Sequence, residues 1–253
     1  MRKKETNLQA LASGDYDLQW ANMKDFIRYN PGARHRRRLI VSAMKKLHSP
    51  PLNVLDAGCG LGATVNELAQ VFPSTSFTGI DFSATAIKWC ENTFTEHRWF
   101  VADISKPFSL GKFDLVLCTE VIEHLDDPVA TIRNLLNQLD SAGSLLVTTP
   151  AGRIHQTEKL VGHQQHFNQN QLEEVVRSAG GRIEELIIWG HPGYKALKYL
   201  TNVNSKLAVK EFANGKYGVI KRMLMHIFFV VTWATSRRHS PAGVQNICLV
   251  RKI

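Results

Sequence analysis

A nine-residue stretch, 54–62 (VLDAGCGLG), constrains the fold of this chain more than any other part of it. Its first residues, together with Asn53, predict a short buried strand, and the apolar residues of 63–71 that follow it recur at helical spacing. A strand, a Gly-x-Gly-x-Gly turn and a helix in this order bring a nucleotide-like ligand against bare backbone at the carboxyl end of a parallel strand. The glycines permit a tight turn and leave no side chain between the backbone and the ligand.

The composition is that of a soluble globular protein. A chain of 253 residues suits one α/β domain with additions better than two full domains. Hydrophobic residues make up 44% of the chain and charged residues 21%, which excludes a disordered chain. The net charge of +9 favours an anionic partner or surface, but it does not choose among RNA, lipid headgroups and small acids.

The cysteines and the N-terminus favour a cytoplasmic protein. Cys59, Cys90, Cys118 and Cys248 are far apart and form no CxxC motif, so we expect free buried thiols rather than a zinc or redox site. The first ten residues, MRKKETNLQA, lack the apolar region of a signal peptide. No run reaches the roughly 18 apolar residues that a transmembrane helix needs.

Strand patterns that alternate with helix patterns predict a doubly wound α/β fold. Strands are predicted at 53–55, 76–80, 99–102, 113–118, 144–149, 182–189 and 243–251. Helices are predicted at 33–47, 63–71, 84–94, 129–139 and 170–179, and turns at 30–32 and 141–143. We therefore expect a helical leader at 1–50 and a domain at 51–253, with a mainly helical insertion at about 190–242 between the last two strands.

The glycine turn differs from the dinucleotide fingerprint Gly-x-Gly-x-x-Gly. Here Gly58, Gly60 and Gly62 follow Asp56, an arrangement that resembles motif I of the class I S-adenosylmethionine (SAM) methyltransferases. The resemblance covers about 50–189 and the last strand. It rests on four ordered features: the glycine loop, Asp81, Asp103, and the strand at 113–118 with its exit to 125. It implies a Rossmann-like seven-stranded sheet in the order 3-2-1-4-5-7-6, with strand 7 antiparallel.

The same resemblance implies SAM as cofactor and S-adenosylhomocysteine as its product. Asp81 ends the second strand about 20 residues beyond the glycine loop, where an acidic side chain accepts hydrogen bonds from both ribose hydroxyls. Phe82 would cover the adenine, and in the family the residue at Asp103 meets the adenine amino group. The predicted cofactor residues are Asp56, Gly58, Cys59, Gly60, Gly62, Asp81, Phe82, Asp103, Ile104 and Thr119.

Residues 120–124 (EVIEH) leave the fourth strand, where the family keeps its active site. If this segment were helical, Glu120, Glu123 and His124 would share one face. Two carboxylates and an imidazole can exchange a proton or bind a divalent cation. The segment resembles the E-x-x-E-H run of the ubiquinone-biosynthesis O-methyltransferases. It also resembles that of the small-RNA 3′-terminal 2′-O-methyltransferases, which bind a metal with it and a later histidine.

Three roles for these residues remain open from the sequence. In the first, which we favour, no metal is bound, Glu120 and Glu123 assist, and His124 is the base, with His166 as the second choice and His155 as a weaker one. In the second, a metal is bound by Glu120, Glu123, His124 and His163. In the third, the histidines are structural.

Two basic segments suggest contact with an anionic partner. Arg34, Arg36, Arg37 and Arg38 lie on the predicted helix 33–47 and form either a solvated face or a contact with an anionic substrate or membrane. The apolar run 223–234 lies between Lys221-Arg222 and Arg237-Arg238. It is either a buried helix or dimer face, or an interfacial helix that brings 221–238 to the inner face of a membrane.

Together these features predict a SAM-dependent methyltransferase that methylates an oxygen of a small-molecule, lipid-linked or saccharide acceptor. A metal-dependent RNA 2′-O-methyltransferase is the first alternative, but the chain has no recognisable RNA-binding module. A SAM-binding scaffold without catalysis is the second, and the acidic and histidine residues argue against it. The acceptor, the metal dependence and the oligomeric state stay open.

Overall fold

The computed structural model describes residues 20, 23–205, 207–208 and 216–253. A seven-stranded sheet lies at the centre. Its strands are β1 (Asn53–Ala57), β2 (Ser76–Asp81), β3 (Arg98–Val101), β4 (Phe113–Thr119), β5 (Leu139–Pro150), β6 (Gly181–Trp189) and β7 (Gln245–Lys252). Their order is β3-β2-β1-β4-β5-β7-β6, and β7 runs antiparallel to both of its neighbours. The doubly wound topology expected from the resemblance is confirmed.

Helices cover both faces of this sheet. They are α1 (Lys24–Tyr29), α2 (Pro31–Lys46), α3 (Ala63–Val71), α4 (Ala84–Thr93), α5 (Pro128–Leu136), α6 (Gln156–Leu160), α7 (Gln169–Ser178), α8 (Gly193–Val203) and α9 (Val219–Ser236). Met44, Leu68 and Ile87 from α2, α3 and α4 pack on one face. Ile132 from α5 and Leu172 from α7 pack on the other. Because both faces are covered, the parallel strands are apolar on both sides.

The order of the strands predicts where in the sheet a ligand site lies. Strand β1 pairs in parallel with β2 on one side and with β4 on the other, so the direction of winding reverses beside β1. Ligands of open α/β sheets bind in the crevice at the carboxyl ends of the strands at such a point. The glycine loop after β1 and the EVIEH segment after β4 are therefore neighbours.

The turn predicted at 141–143 is wrong, because these residues belong to β5. Leu139 pairs with Phe113 and Ser144 pairs with Leu115, so residues 140–143 form a bulge opposite a single residue of β4. A Cβ at Gly143 would lie 2.7 Å from the carbonyl oxygen of Phe113. The bulge brings two backbones close together, which explains a glycine within the strand.

The predicted turn at 30–32 is the start of a helix. The Asn30 side chain accepts a hydrogen bond of 3.0 Å from the backbone N–H of Ala33 and caps α2, and Pro31 occupies its first position. Within α2, Arg37 is buried and forms an ion pair with Glu67. The arginine cluster is therefore not a uniformly solvated face.

The insertion supplies α8 and α9, which pack on each other, and α9 also packs on α2. Phe229, Thr232 and Ser236 form the buried side of α9, and the Ser236 hydroxyl accepts a 2.8 Å hydrogen bond from the backbone N–H of Tyr194. By length and composition α9 could cross a membrane, although only 17% of its 18 residues are buried. The four cysteines are free and buried, as expected. The domain boundary at residue 50 stays a prediction.

Candidate functional site

The glycine loop depends on the absence of side chains. Gly58, Gly60 and Gly62 have φ angles of 79°, 52° and 71°, in the left-handed region that favours glycine. The backbone N–H groups of Gly58 and Cys59 donate to the carbonyl oxygen of Ile80, at 2.8 and 2.9 Å. A Cβ at Gly60 would lie 2.7 Å from the ring of Trp20. The loop is thus held tightly against the end of β2.

Asp81 is the polar centre of the predicted cofactor site. Its carboxylate accepts hydrogen bonds from the backbone N–H groups of Gly60 and Ser83, both at 2.9 Å. Both donors belong to the backbone of loops that follow β1 and β2, so these bonds fix the orientation of the carboxylate at the end of β2.

Asp56, one of the predicted cofactor residues, lies in the interior of the protein. It is buried, and neither of its carboxylate oxygens has a hydrogen-bond partner among the described residues. Burial, with repulsion from Asp81, raises the pKa of Asp56 to about 7. Asp56 lies beneath the glycine loop and does not line the cavity described next.

A cavity of about 980 Å³ extends over the loop, at the upper end of the range for small-molecule sites. The predicted cofactor residues that line it are Gly58, Cys59, Gly60, Asp81, Phe82, Asp103, Ile104 and Thr119. Gly62, like Asp56, lies outside the lining. Phe82 is 55% exposed. The Asp103 carboxylate accepts bonds from Ser105, whose hydroxyl lowers the pKa of Asp103.

The exit from β4 is not helical, so the expected common face of Glu120, Glu123 and His124 is wrong. Glu120 has a φ of 57°, and only Ile122–His124 form a 3₁₀ turn. Such a φ is strained for a residue other than glycine and is found mainly at functional sites. The reversal sends the two carboxylates in different directions.

Glu120 faces the cavity, and Glu123 faces the protein core. Glu120 forms an ion pair of 3.2 Å with Arg36 and accepts a 3.1 Å bond from the Thr148 hydroxyl. Glu123 is fully buried and accepts a 3.1 Å bond from the Thr149 hydroxyl. Burial, with repulsion from Glu120, holds the pKa of Glu123 well above its usual value and favours the neutral acid.

The segment 162–166 is fastened to the β4 exit through two glutamines. The backbone N–H groups of Gln164 and Gln165 donate to the carbonyl oxygen of Glu123, at 2.9 and 3.3 Å. Their side-chain amides donate to the carbonyl oxygens of His124 and Leu125, at 3.0 and 2.8 Å. This clasp places His163 beside His124.

Three histidines, His124, His163 and His166, lie in a row, and the last of them is outside the cavity lining. The ring centroids of His124 and His163 are 4.7 Å apart, and His163 Nδ1 lies 3.0 Å from His166 Nε2. His166 Nδ1 lies 3.2 Å from the carbonyl oxygen of Gly152. Since a carbonyl only accepts, His166 Nδ1 carries a proton and its Nε2 accepts from His163 Nδ1. Neutral His163 therefore presents Nε2 as a hydrogen-bond acceptor.

Burial keeps these rings neutral. It lowers the pKa of His124 and of His166, and it lowers the pKa of His163 to about 2 with the help of the neighbouring positive charges. His124 and His163 line the cavity, whereas Glu123 and His166 do not. A neutral imidazole in a cavity is suited to accept a proton or to bind a metal.

Two groups of possible metal ligands share His163. One is Glu123, His124 and His163, and the other is Glu158, His163 and His166, each with its ligand atoms within 4.8 Å of one another. Glu120, which the sequence suggested as a ligand, is in neither group. Glu158 already forms a 2.6 Å ion pair with Lys198.

Sequence reasoning missed several lining residues. Arg36, Glu158, Tyr194 and Lys198 all line the cavity, and the last two belong to the insertion. The arginine cluster in the sequence pointed to the region of Arg36 without singling it out. No sequence signal marked Lys198, because only the fold brings α8 and Glu158 to the same cavity.

Comparison with known proteins agrees with this geometry. A malonyl-[acyl-carrier protein] O-methyltransferase from Anoxybacillus flavithermus is 26% identical over 123 residues, which are 48% of this chain and 48% of that protein. A trans-aconitate 2-methyltransferase from Deinococcus radiodurans is 31% identical over 113 residues, 44% of this chain and 43% of that protein. The chain therefore spans about half the length of these relatives or slightly less.

The fold also matches that of a solved enzyme along nearly the whole chain. The N-methyltransferase NodS from Bradyrhizobium japonicum, solved with S-adenosyl-L-homocysteine, has a TM-score of 0.59 at 18% identity, and the match covers 97% of this chain and 98% of that one. A family model described as a methyltransferase domain matches residues 32–186, more than half of the chain. The chain therefore belongs to this methyltransferase-domain family, as the glycine loop and the acidic strand ends indicated.

Proposed function

We propose that the protein is a SAM-dependent methyltransferase that methylates an oxygen of a small-molecule, lipid-linked or saccharide acceptor. One observation carries the proposal: the glycine loop with Asp81 and the histidine pair His124–His163 line the same cavity. At one end of the cavity, the glycine loop and the Asp81 carboxylate can bind a nucleoside. At the other end, His124 and His163 are neutral bases. The family match and a relative named as an O-methyltransferase support the same activity.

The residues at the loop fit the cofactor. SAM, when bound, supplies an activated methyl group and its leaving group for an in-line displacement. Gly58 and Gly60 allow close approach of the backbone, and the Asp81 carboxylate, oriented by two backbone N–H groups, is the acceptor for the ribose hydroxyls. Phe82 supplies an exposed apolar surface beside it. The chain thereby orients a methyl donor at the crevice beside β1 and β4.

At the other end His124 accepts the proton that an acceptor hydroxyl must lose. His163 lies against its ring, with Nε2 as a second acceptor, and the 3.0 Å contact with His166 sets the proton on His163 Nδ1. In this arrangement His166 is a positioning residue rather than the second base. Glu120 and Arg36 form an ion pair in the cavity lining, beside the region proposed to bind the methyl acceptor.

We favour a metal-free reaction at this site. In the group formed by Glu123, His124 and His163, the carboxylate would have to ionise to serve as a ligand. Without a metal, burial and the nearby Glu120 raise the pKa of Glu123 and favour its neutral acid, and a divalent ion would have to supply the charge that reverses this preference. The effect of a chelator on the rate therefore separates the two reactions.

Calorimetry with S-adenosylhomocysteine tests the cofactor site. We expect binding by the wild-type protein and a loss of affinity of about 10- to 100-fold in Asp81→Asn, because a bond to a charged carboxylate contributes about 1.5–3 kcal/mol. Leu52→Ser, an exposed substitution at the opposite end of β1, is the matched control. No binding by the wild type would overturn the proposal, and equal affinity in Asp81→Asn would overturn the role of Asp81.

An assay of labelled methyl transfer from SAM to lipid extract, saccharide or RNA tests which class of acceptor the protein uses. We expect label in the lipid or saccharide fraction, and the comparisons give no support to RNA 2′-O-methylation. Label confined to RNA would contradict this choice of acceptor. A cytoplasmic location stays a prediction, as does peripheral membrane contact through 221–238.

A further inference from the structure

Helix α9 carries a continuous apolar stripe that faces away from the protein. Its members recur at helical spacing and are 39–81% exposed: Val219, Ile220, Met223, Leu224, Ile227, Phe228, Val230 and Val231. On the adjoining α8, Leu200 and Val203 are 69% and 84% exposed. Apolar surface of this extent on a soluble domain marks an interaction site.

The segment that carries this stripe holds almost all of the net charge. Residues 190–242 contain nine lysines and arginines against one acidic residue, so they account for eight of the nine net positive charges of the chain. Lys216, Arg237 and Arg238 are exposed at the two ends of α9. The remaining 200 residues are nearly neutral. The partner of this surface must therefore accept both apolar side chains and positive charge.

The opposite face of α9 is attached to the domain along its length. Arg222 forms an ion pair of 3.4 Å with Asp25 near the start of the helix, Phe229 is buried at its middle, and Ser236 bonds to the backbone of Tyr194 at its end. These attachments span about 20 Å at 1.5 Å per residue. A helix held in this way lies along a membrane surface rather than across it.

Charge also decides between a membrane and a second copy of the chain. A two-fold dimer would place the same patch on both sides of the interface, so the exposed Lys216, Arg237 and Arg238 of one copy would meet the same positive charges of the other. An anionic bilayer offers the complementary charge and an apolar interior for the stripe.

The cavity opens at this same surface. Leu200 and Phe228 line the cavity and are also among the exposed apolar residues, and Leu197 and Met225 continue the lining inward. His124 and the glycine loop lie in the lining of the same cavity. An apolar route therefore connects the exposed face of α8 and α9 with the proposed site of methyl transfer.

We propose that the exposed face of α8 and α9, defined by the residues of the stripe with Leu200 and Val203, docks on an anionic lipid bilayer, and that an acceptor with a long apolar chain enters the cavity there. The docking surface stands by itself, whereas the acceptor class rests on the proposed methyltransferase function.

Vesicle sedimentation tests the docking surface. We expect the wild-type protein to pellet with vesicles of phosphatidylcholine and phosphatidylglycerol, less with phosphatidylcholine alone, and less at high salt. The double variant Ile220→Glu/Ile227→Glu should lose binding several-fold, while Leu52→Glu, an exposed apolar position far from α9, should keep it. Arg237→Gln/Arg238→Gln should weaken binding more than Lys45→Gln/Lys88→Gln, which removes the same charge from other exposed sites.

Two results would overturn docking. One is no binding of the wild type to either vesicle at any salt concentration. The other is a dimer in light scattering that Ile220→Glu/Ile227→Glu converts to monomer, with equal vesicle binding by both proteins. Calorimetry with S-adenosylhomocysteine needs no membrane, so failure of docking and failure of the proposed function are separate results.

A neutral fluorescent long-chain alcohol tests the route. We expect wild-type protein to bind it in the absence of vesicles, and Met225→Trp, which fills the route, to bind it at least several-fold more weakly with unchanged affinity for S-adenosylhomocysteine. Leu52→Trp should bind both as the wild type does. Equal binding of the alcohol by Met225→Trp and wild type, or none by the wild type, would overturn entry of an apolar chain by this route.

Discussion

The hydrogen bonds of His166 determine which ring nitrogen of His163 carries the proton. A single residue thus sets part of the chemistry of the site. Its Nδ1 donates a hydrogen bond to the carbonyl oxygen of Gly152, so its Nε2 accepts one from His163 Nδ1. His163 Nε2 then carries no proton and can itself accept a hydrogen bond. Glu123 and Glu120 are three residues apart, yet their surroundings differ. Burial raises the pKa of Glu123 and favours its neutral acid, whereas Glu120 forms an ion pair with Arg36. Environment rather than residue type separates their roles.

His124→Ala should lower the rate of methyl transfer by about 10²- to 10⁴-fold, the usual contribution of a general base. The affinity for S-adenosylhomocysteine should not change. Single-turnover kinetics and calorimetry measure the two quantities, with His48→Ala, an exposed histidine, as the control. A chelator should have no effect. Loss of activity with EDTA and recovery with a divalent ion would instead make His124 a metal ligand.

The pH dependence of the rate follows from the same residue. Burial lowers the pKa of His124, so the ring stays neutral below the usual value of about 6.5 and loses its lone pair only in more acidic solution. We expect the acidic limb of the rate profile to lie below pH 6.5 for this reason. A limb at or above pH 6.5 would contradict His124 as the buried base.

At the scale of elements, the site depends on two loops that meet across the crevice. The reversal at Glu120 ends β4 sharply, and the clasp of Gln164 and Gln165 brings segment 162–166 against the 3₁₀ turn. The hydrogen bonds of the clasp do not involve the glycine loop, which the Val121 side chain contacts at Gly58. We therefore expect changes to the two glutamines to affect the placing of the base more than cofactor binding.

Gln164→Ala/Gln165→Ala should release the clasp and lower the rate of methyl transfer by about tenfold or more, since each lost hydrogen bond is worth about 1 kcal/mol. Affinity for S-adenosylhomocysteine should remain at the wild-type value. Gln169→Ala, which removes an exposed bond to Glu173 on α7, is the matched control. A wild-type rate in the double variant would show that His163 is held without these side chains.

At the scale of the whole molecule, His35 lies where the leader, the sheet and the insertion meet. Its ring is fully buried, and neither nitrogen has a hydrogen-bond partner among the described residues. It packs against Trp189 of β6 and Trp233 of α9, both at 4.9 Å between centroids. Burial, with repulsion from nearby arginines, lowers the pKa of His35 to about 4.

His35→Phe should make the protein less sensitive to acid. Between pH 6.5 and 4 the unfolded chain binds a proton at His35 that the folded protein does not, so stability falls as the pH falls through this window. The variant should gain about 2 kcal/mol of unfolding free energy more at pH 5 than at pH 7.5 relative to wild type. Denaturant unfolding at the two pH values measures the difference, and an equal effect at both would contradict the buried neutral ring.

The sequence alone determined the parts of this protein that depend on local pattern. The glycine loop, Asp81 at the end of β2 and helix α3 all depend on neighbouring residues and were predicted from them. The order of the sheet came from the family resemblance. The predicted turn at 141–143 failed because the pairing of β5 with β4 overrides the turn preference of Ser-Ala-Gly.

The remaining residues of the site are brought together only by the fold. Arg36, His163 and Lys198 come from three distant parts of the chain, and nothing in their local sequence states that they face one cavity. The positive φ of Glu120 is likewise not predicted by periodicity, because hydrophobic spacing carries no information on a single backbone angle. Local preferences are small and additive along the chain, whereas burial and pairing depend on contacts far apart in sequence. For this reason the residues that follow β1, β2 and β4 could be predicted to meet in one crevice, while Arg36 and Lys198 were identified in its lining only in the folded molecule.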